Sequence, residues 1–192
     1  SSELSQILEQ GDQYGRGIIE QEKKVLVEYT DPNPFKEFHL GHLMSNTIGE
    51  AISRLIESQG ATVKRACYQG DVGMHVAKAI WGSLKHKAQS AKDVKEWGGA
   101  YAVGAQAYES DQVAKREINE INKKVYGRSD PEINALYDAG RKSSLAYFET
   151  IYQRLGTKFD YYFFESETGA LGKKLVEENM GKVFEKSDGA VI

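Results

Sequence analysis

Residues 25–43 read VLVEYTDPNPFKEFHLGHL, and this segment sets the architecture. Val25 to Tyr29 is a short run rich in β-branched and aromatic residues and predicts a strand. Thr30-Asp31-Pro32-Asn33-Pro34 predicts a loop, because two prolines exclude helix and central strand. Beyond it Leu40, Met44, Ile48, Ile52 and Leu55 recur every three or four residues, with Glu50, Ser53, Arg54 and Glu57 on other faces. The spacing predicts a long helix stopped at Gly60. Val63 to Tyr68 predicts a second strand ending at Gly70-Asp71-Val72-Gly73, and Val76, Ala79 and Ile80 form the apolar stripe of another helix. Residues 25–84 therefore read as a βαβα unit of the α/β class with parallel strand pairing. In an open parallel sheet a ligand binds at the carboxyl ends of the strands, here the loops at 30–42 and 69–75.

Outward from this unit the pattern changes. Lys85 to Lys95 is polar and lysine-rich, and Glu96 to Gly127 is helical in composition. Asp130-Pro131 opens a helix whose stripe of Ile133, Leu136, Tyr137, Gly140, Tyr147, Ile151 and Leu155 ends at Gly156. Residues 85–166 are expected to be a mostly helical insertion, with a strand over Lys158 to Phe164. Residues 167–192 are expected to hold a helix from Thr168 to Met180, capped by Gly181, and the start of a hairpin. That hairpin pairs Val183-Phe184 with Ala190-Val191-Ile192 around Ser187-Asp188-Gly189. Residues 1–24 form a weakly helical lead-in. The apolar end at Ile192 is expected to leave an open sheet edge, as in a piece of a longer protein.

Composition sets the outer limits. The chain has 192 residues, 40% hydrophobic and 28% charged, with a net charge of −3 and one cysteine, Cys67. These values exclude a disordered chain, a disulfide framework and a multi-cysteine zinc site. No apolar run reaches the roughly 18–20 residues of a membrane span. The acidic balance argues against a non-specific nucleic-acid coat. The expectation is a cytoplasmic domain with neither DNA nor a membrane as partner.

The chemistry concentrates in residues 36–43. His39 and His42 lie three apart in the first turn of a helix, on one face, where unpaired N–H groups and the positive dipole end favour an anion. Gly41 between them leaves room for a flat ring. Such a site suits a nucleoside triphosphate, with positioning and charge stabilisation as pyrophosphate departs. On spacing alone, the pair also fits two incidental half-exposed histidines. A metal set of His39, His42, Asp71 and His75 lacks the i, i+4 spacing and neighbouring carboxylate usual for helical metal pairs, so no metal site is expected.

Taken together, these motifs resemble the class I aminoacyl-tRNA synthetases. His39-Leu40-Gly41-His42 is similar to the class signature His-Ile-Gly-His. The order of strand, Asp31-Pro32-Asn33, signature, strand and Gly70-Asp71-Val72-Gly73 resembles arginyl-tRNA synthetases in particular, over about 165 residues. The resemblance implies a Rossmann-like, HUP-type catalytic core with a connective insertion, using ATP with Mg²⁺ to join L-arginine to tRNA(Arg). By position it implies that His39 and His42 contact the ATP phosphates and stabilise the pentavalent α-phosphate, and that Gly41 makes room for adenine. Asp31 and Asn33 fall where the family holds the amino acid's ammonium and carboxylate groups, and Glu28 where it places an acidic residue near the substrate. Lys36 either meets the phosphates or is solvated.

Val72 stands where tryptophan is usual, and Asp31 where serine is common, a negative charge suited to an ammonium group. Asp71 either adjoins the site or caps the next helix. The second class signature, a Lys-Met-Ser-Lys-Ser loop, is absent from these residues, as are the segments that supply most of the guanidinium pocket and the anticodon-binding domain. The chain therefore reads as the first half of such a catalytic domain, inactive alone. A free-standing nucleotidyltransferase that works without tRNA, and a non-catalytic RNA- or protein-binding module, are the alternatives. Lys85, Lys87, Lys92, Lys95, Lys115, Arg116, Lys123 and Lys124 form basic clusters, either an ordinary solvated face or a contact for the tRNA acceptor end. Phe159, Tyr161, Tyr162, Phe163 and Phe164 are expected to be packing residues rather than base-stacking ones.

Overall fold

The computed structural model describes residues 2–85, 93–188 and 190–192. Strand β1 (Lys24–Glu28) pairs with β2 (Thr62–Gln69), and β2 with β3 (Tyr161–Phe164); both pairings are parallel and the order is β1-β2-β3. Val25 stands opposite Val63, and Cys67 opposite Tyr162. Helix α1 (Ser2–Gln10) precedes the sheet and buries none of its residues. Helix α2 (Leu40–Ser58) joins β1 to β2. Four helices join β2 to β3: α3 (Met74–Lys85), α4 (Val94–Ser110), α5 (Gln112–Gly127) and α6 (Pro131–Leu155). The last three start on side-chain caps from Asp93, Asp111 and Asp130, and α6 stops at Gly156 with φ +68°, as its start and stop residues predict.

Helix α7 (Glu165–Glu178) begins directly after β3, three residues earlier than expected. A two-residue hairpin of β4 (Lys186–Ser187) and β5 (Ala190–Val191) follows. Its first strand is thus not Val183-Phe184; Phe184 instead bridges back to Met180 beside the turn at Gly181. β3 is likewise shorter than the expected 158–164, since Asp160 turns its carboxylate to the Arg65 N–H and the Lys64 ammonium.

Alternation along the strands divides the sheet into two unlike faces. Cys67 on one face joins Tyr29, Phe148, Tyr152 and Phe159 in a cluster built with α6. Arg65 on the same face reaches Glu50 and Glu57 of α2. The other face carries Leu26, Tyr68, Tyr161 and Phe163, which are 36–59% exposed. The aromatic run near β3 is accordingly divided, Phe159 in the core and Tyr161 and Phe163 on the open face.

The largest departure from the expected pattern concerns α2. Its stripe of Leu40, Met44, Ile48, Ile52 and Leu55 faces solvent, and the side turned to the sheet holds Asn46, Gly49, Glu50 and Ser53. Asn46 and Glu50 can be buried there because they are partnered, while Ser53 Oγ is buried without a hydrogen-bond partner among the described residues. Glu50 accepts from the Tyr29 hydroxyl at 2.5 Å, Arg54 Nε at 2.7 Å and Arg65 Nε at 3.1 Å. Gly49 lets the Tyr29 ring lie against the helix, where any side chain would collide. By contrast Val76, Ala79 and Ile80 of α3 are fully buried as expected, packed with Trp97, Ile118 and Ile121. Among the described residues no helix is long and apolar enough to cross a membrane.

Candidate functional site

The loop between β1 and α2 is strained into shape. Thr30, Asp31 and Phe35 take φ of +79°, +48° and +68°, a region costly for residues other than glycine, and such strain persists only where the surroundings enforce it. Phe35 supplies that enforcement: its ring is fully buried, edge-on to Trp97 at 5.0 Å, and its N–H donates to Ser144 Oγ at 2.9 Å. The ring fills the space left by Gly140 of α6.

At the end of this loop the two signature histidines cap α2 reciprocally. His39 Nδ1 accepts from the Gly41 N–H at 3.1 Å, and His42 Nδ1 accepts from the His39 N–H at 3.3 Å. The rings stack with centroids 3.6 Å apart. With both Nδ1 atoms acting as acceptors, a neutral ring carries its proton on Nε2, so Nε2 is the donor atom of each. Burial above all, then the electrostatic influence of the neighbouring His39 and Lys36, pushes His42 down to about 4, so this ring is neutral at physiological pH. A side chain at Gly41 would press on the His39 ring at 3.0 Å, so the glycine serves the cap as well as any incoming base. Neither ring is turned into an aliphatic core; His39 is exposed and His42 half-buried against Phe38.

The carboxyl ends of the strands gather the other expected residues. Asn33 Oδ1 accepts from the Gly70 N–H at 3.1 Å, which leaves its Nδ2 hydrogens free of that contact. Asp31 Oδ1 accepts from the Tyr68 N–H at 2.7 Å, and burial, assisted by repulsion from Glu28, raises its carboxyl above the usual range. Glu28 is exposed at the end of β1. Lys36 rests over the Tyr101 ring of α4 at 4.6 Å, so it is held by the insertion rather than simply solvated, and its charge reaches both His42 and His75. His75 Nε2 lies 2.9 Å from the Gly70 carbonyl, and burial pushes it down to about 4.

Glu165 and Ser166 were not legible in the pattern, and of the two readings of Asp71 the capping one is set aside. Asp71 does not cap α3. It is fully buried, and accepts from Tyr137, Arg141 and Ser166. Glu165 stands at the end of β3, its Oε2 within 3.3 Å of the Cβ position of Gly70 and beside Asn33. The strand-end rule would have flagged Glu165 and Ser166 had the end of β3 been placed at Phe164. Among the described residues no group of three or more His, Cys, Asp or Glu gathers as a metal site.

Several basic residues of the insertion are locally engaged. Lys85 meets Glu117, Lys123 meets Glu120, Lys124 meets Asp130, and Lys115 lies over Tyr108. This favours the ordinary solvated face. Lys87 and Lys92 lie outside the described residues.

Comparison with known proteins gives one consistent result. Residues 3–191 match the family described as tRNA synthetases class I (R), catalytic domain. An arginine–tRNA ligase of Treponema pallidum is 29% identical over 199 residues, covering 98% of this chain and 33% of that protein. One from Clostridium perfringens is 32% identical over 195 residues, covering 98% and 34%. Thermus thermophilus arginyl-tRNA synthetase superposes with a TM-score of 0.67 at 25% identity, over 97% of this chain and 32% of that one. The Plasmodium falciparum arginyl-tRNA synthetase gives a TM-score of 0.63 at 22% identity, over 90% and 29%, a likeness of fold. The chain thus spans about a third of the length of the curated relatives it matches.

Proposed function

This chain belongs to the catalytic-domain family of the arginine-type class I tRNA synthetases, and on that premise we propose that it supplies the ATP- and amino-acid-binding loops of an enzyme that activates L-arginine and transfers it to tRNA(Arg). The observation that carries the reading is the capped pair His39 and His42 at the N-terminus of α2, whose Nδ1 atoms are both taken up by backbone N–H groups, so that Nε2 of each is left to donate to a ligand. There a triphosphate meets both the imidazoles and the positive end of the helix dipole.

In the first step an arginine carboxylate oxygen attacks the α-phosphorus of ATP. The bond to the bridging oxygen breaks, and pyrophosphate leaves with that electron pair, so arginyl-adenylate forms. The imidazole donors stabilise charge on the phosphate oxygens at the pentavalent stage by hydrogen bonding, with no proton transfer required. The Asn33 amide, held by Gly70, donates to the substrate carboxylate, while Asp31 and Glu28 face its ammonium. Glu165 offers a carboxylate of the charge a guanidinium requires. In the second step a terminal ribose hydroxyl of the tRNA attacks the carbonyl and AMP departs. Mg²⁺ would accompany the triphosphate and offset its negative charge. A cytoplasmic setting belongs to the same reading. The open sheet face and the apolar side of α2 are where the further length found in the relatives would pack.

The test is arginine-dependent ATP–pyrophosphate exchange, with tRNA present, in a protein that carries this chain at its relatives' full length. His42→Ala is expected to lower the rate by well over about tenfold with the circular dichroism spectrum unchanged. An unchanged rate overturns the assignment of His42.

A further inference from the structure

We infer that Asp71 is a positioning residue of the amino-acid subsite, and that through Tyr137 and Arg141 it makes helix α6 of the insertion part of that subsite. The inference deepens the reading above and rests on it. Three residues from two separate helices converge on this one carboxylate. Asp71 Oδ2 accepts from the Tyr137 hydroxyl at 3.0 Å, Arg141 Nε at 2.8 Å and Ser166 Oγ at 2.7 Å, while Oδ1 accepts from the Ser166 N–H at 2.8 Å. Tyr137 and Arg141 belong to α6, and Ser166 opens α7 directly after β3. Arg141 is itself oriented, by Glu167 at 3.1 Å and by the Phe164 ring 4.0 Å beneath its guanidinium.

Gly70, the next residue back along the chain, transmits this anchoring to the site. Its N–H donates to Asn33 Oδ1 and its carbonyl meets His75 Nε2, so the two peptide groups flanking the Gly70 Cα are both held. A terminal carboxamide has a broad, roughly two-fold torsional preference, so only a partner of one polarity settles which end points outward. The Gly70 N–H is that partner: it demands the oxygen, and so turns the Nδ2 donors of Asn33 towards the carboxylate they are to bind. Displacing the turn by even a fraction of an ångström weakens this choice, because hydrogen bonds fail steeply with distance and angle.

The same helix also controls the signature loop. Ser144 holds the Phe35 N–H, and Gly140 admits the Phe35 ring. Residues 137, 140, 141 and 144 recur at helical spacing, so one face of α6 braces both site loops. A buried ion pair is weak evidence for a stability role, since well-packed apolar residues serve the fold as well. Its place at the carboxyl edge of β2, beside the residues named above, points to geometry instead.

The experiment uses a protein carrying this chain at its relatives' full length, with arginine-dependent exchange measured for Asp71→Asn, Asn33→Ala, Arg141→Met, Arg141→Lys and the Asp71→Asn/Asn33→Ala double variant. Asp71→Asn retains an acceptor for the Ser166 N–H but sets an amide N–H₂ against Arg141. The expected result is an arginine KM raised about tenfold, an ATP KM within about twofold of the parent's, and a double variant no worse than Asn33→Ala alone. Arg141→Lys recovers part of what Arg141→Met loses. Additive losses in the double variant, or equal rises in both KM values, overturn the proposal. Should Asp71→Asn fail to fold, Ser166→Ala removes one hydroxyl only and is held to the same criteria at smaller size. Hydrogen exchange at the Gly70 amide reads the positioning without turnover. It is expected to quicken about tenfold or more in Asp71→Asn, and an unchanged rate also overturns the proposal. A parent protein with no arginine-dependent exchange sinks the functional reading instead, and the Gly70 amide still decides whether Asp71 orients Asn33.

Discussion

Helices α2 and α3 each follow a strand of the same parallel sheet, and each carries an apolar stripe at helical spacing. In α3 the stripe of Val76, Ala79 and Ile80 is wholly buried beneath α4 and α5. In α2 the corresponding residues stand in solvent, Leu40 at 81% and Met44 at 66% exposure, while Glu50 and Ser53 face inward. The stripe makes a helix amphipathic, but what covers it depends on which other elements are present. For α3 the cover is the insertion, supplied within this chain. For α2, as for Leu26, Tyr68, Tyr161 and Phe163 on the open side of the sheet, no described residue supplies one. Parallel sheets are normally covered on both faces, and the relatives are about three times as long.

This contrast can be tested by four perturbations. The largest effect is expected on the covered side. Trp97→Ala empties the centre of the α3–α4 cluster and should cost about 3–5 kcal/mol in urea denaturation of this chain. A cost under about 1 kcal/mol would show that the cluster is not a consolidated core. Next, Gly104→Ala sets a methyl group against the Lys78 carbonyl, where neither backbone can yield without parting the helices. About 1–3 kcal/mol is expected, with an unchanged denaturant slope.

The third perturbation compares the histidines that open the two helices. Both His42 and His75 are pushed from 6.5 down to about 4, burial being the leading cause. Between these values the unfolded chain binds protons that the folded chain refuses. Stability should therefore be level above about pH 6.5 and fall as the pH drops towards 4. After discounting for solvent screening, the loss is about 1–2 kcal/mol for His75. His75→Gln should flatten that part of the profile, and an unflattened curve would assign the titration elsewhere. The smallest effect is expected on the uncovered side. Met44→Gln and Ile48→Gln should each change the stability of this chain by less than about 0.5 kcal/mol. In a protein of the relatives' length the same changes should cost about 1.5–3 kcal/mol each. Equal effects in both settings would remove the contrast between α2 and α3.

Much of the scaffold could be read one residue type at a time. Pro32 and Pro34 mark the loop, Asp130-Pro131 the start of α6 and Gly156 its end, because caps and prolines act within a few residues of themselves. His39 and His42 could be placed at the first turn of a helix following a strand for the same reason, and that turn does open α2; Asn33 was singled out only through the family resemblance, and the roles of all three are proposals. The role of Asp71 was not legible, since its partners Tyr137, Arg141 and Ser166 lie 66–95 residues away. Nor was the reversed orientation of α2, where Glu50 is buried only because Tyr29, Arg54 and Arg65 converge on it.

Local chemistry, then, was enough to determine the order of elements, the parallel α/β class and the loops that bear the site, since capping, backbone restriction and periodicity are short-range effects. Tertiary structure alone decided which face of each helix is buried, which atoms of the imidazoles are taken up by the cap and which distant groups gather on the Asp71 carboxylate. Those outcomes depend on desolvation and on hydrogen-bond geometry between segments that meet only once the chain has folded.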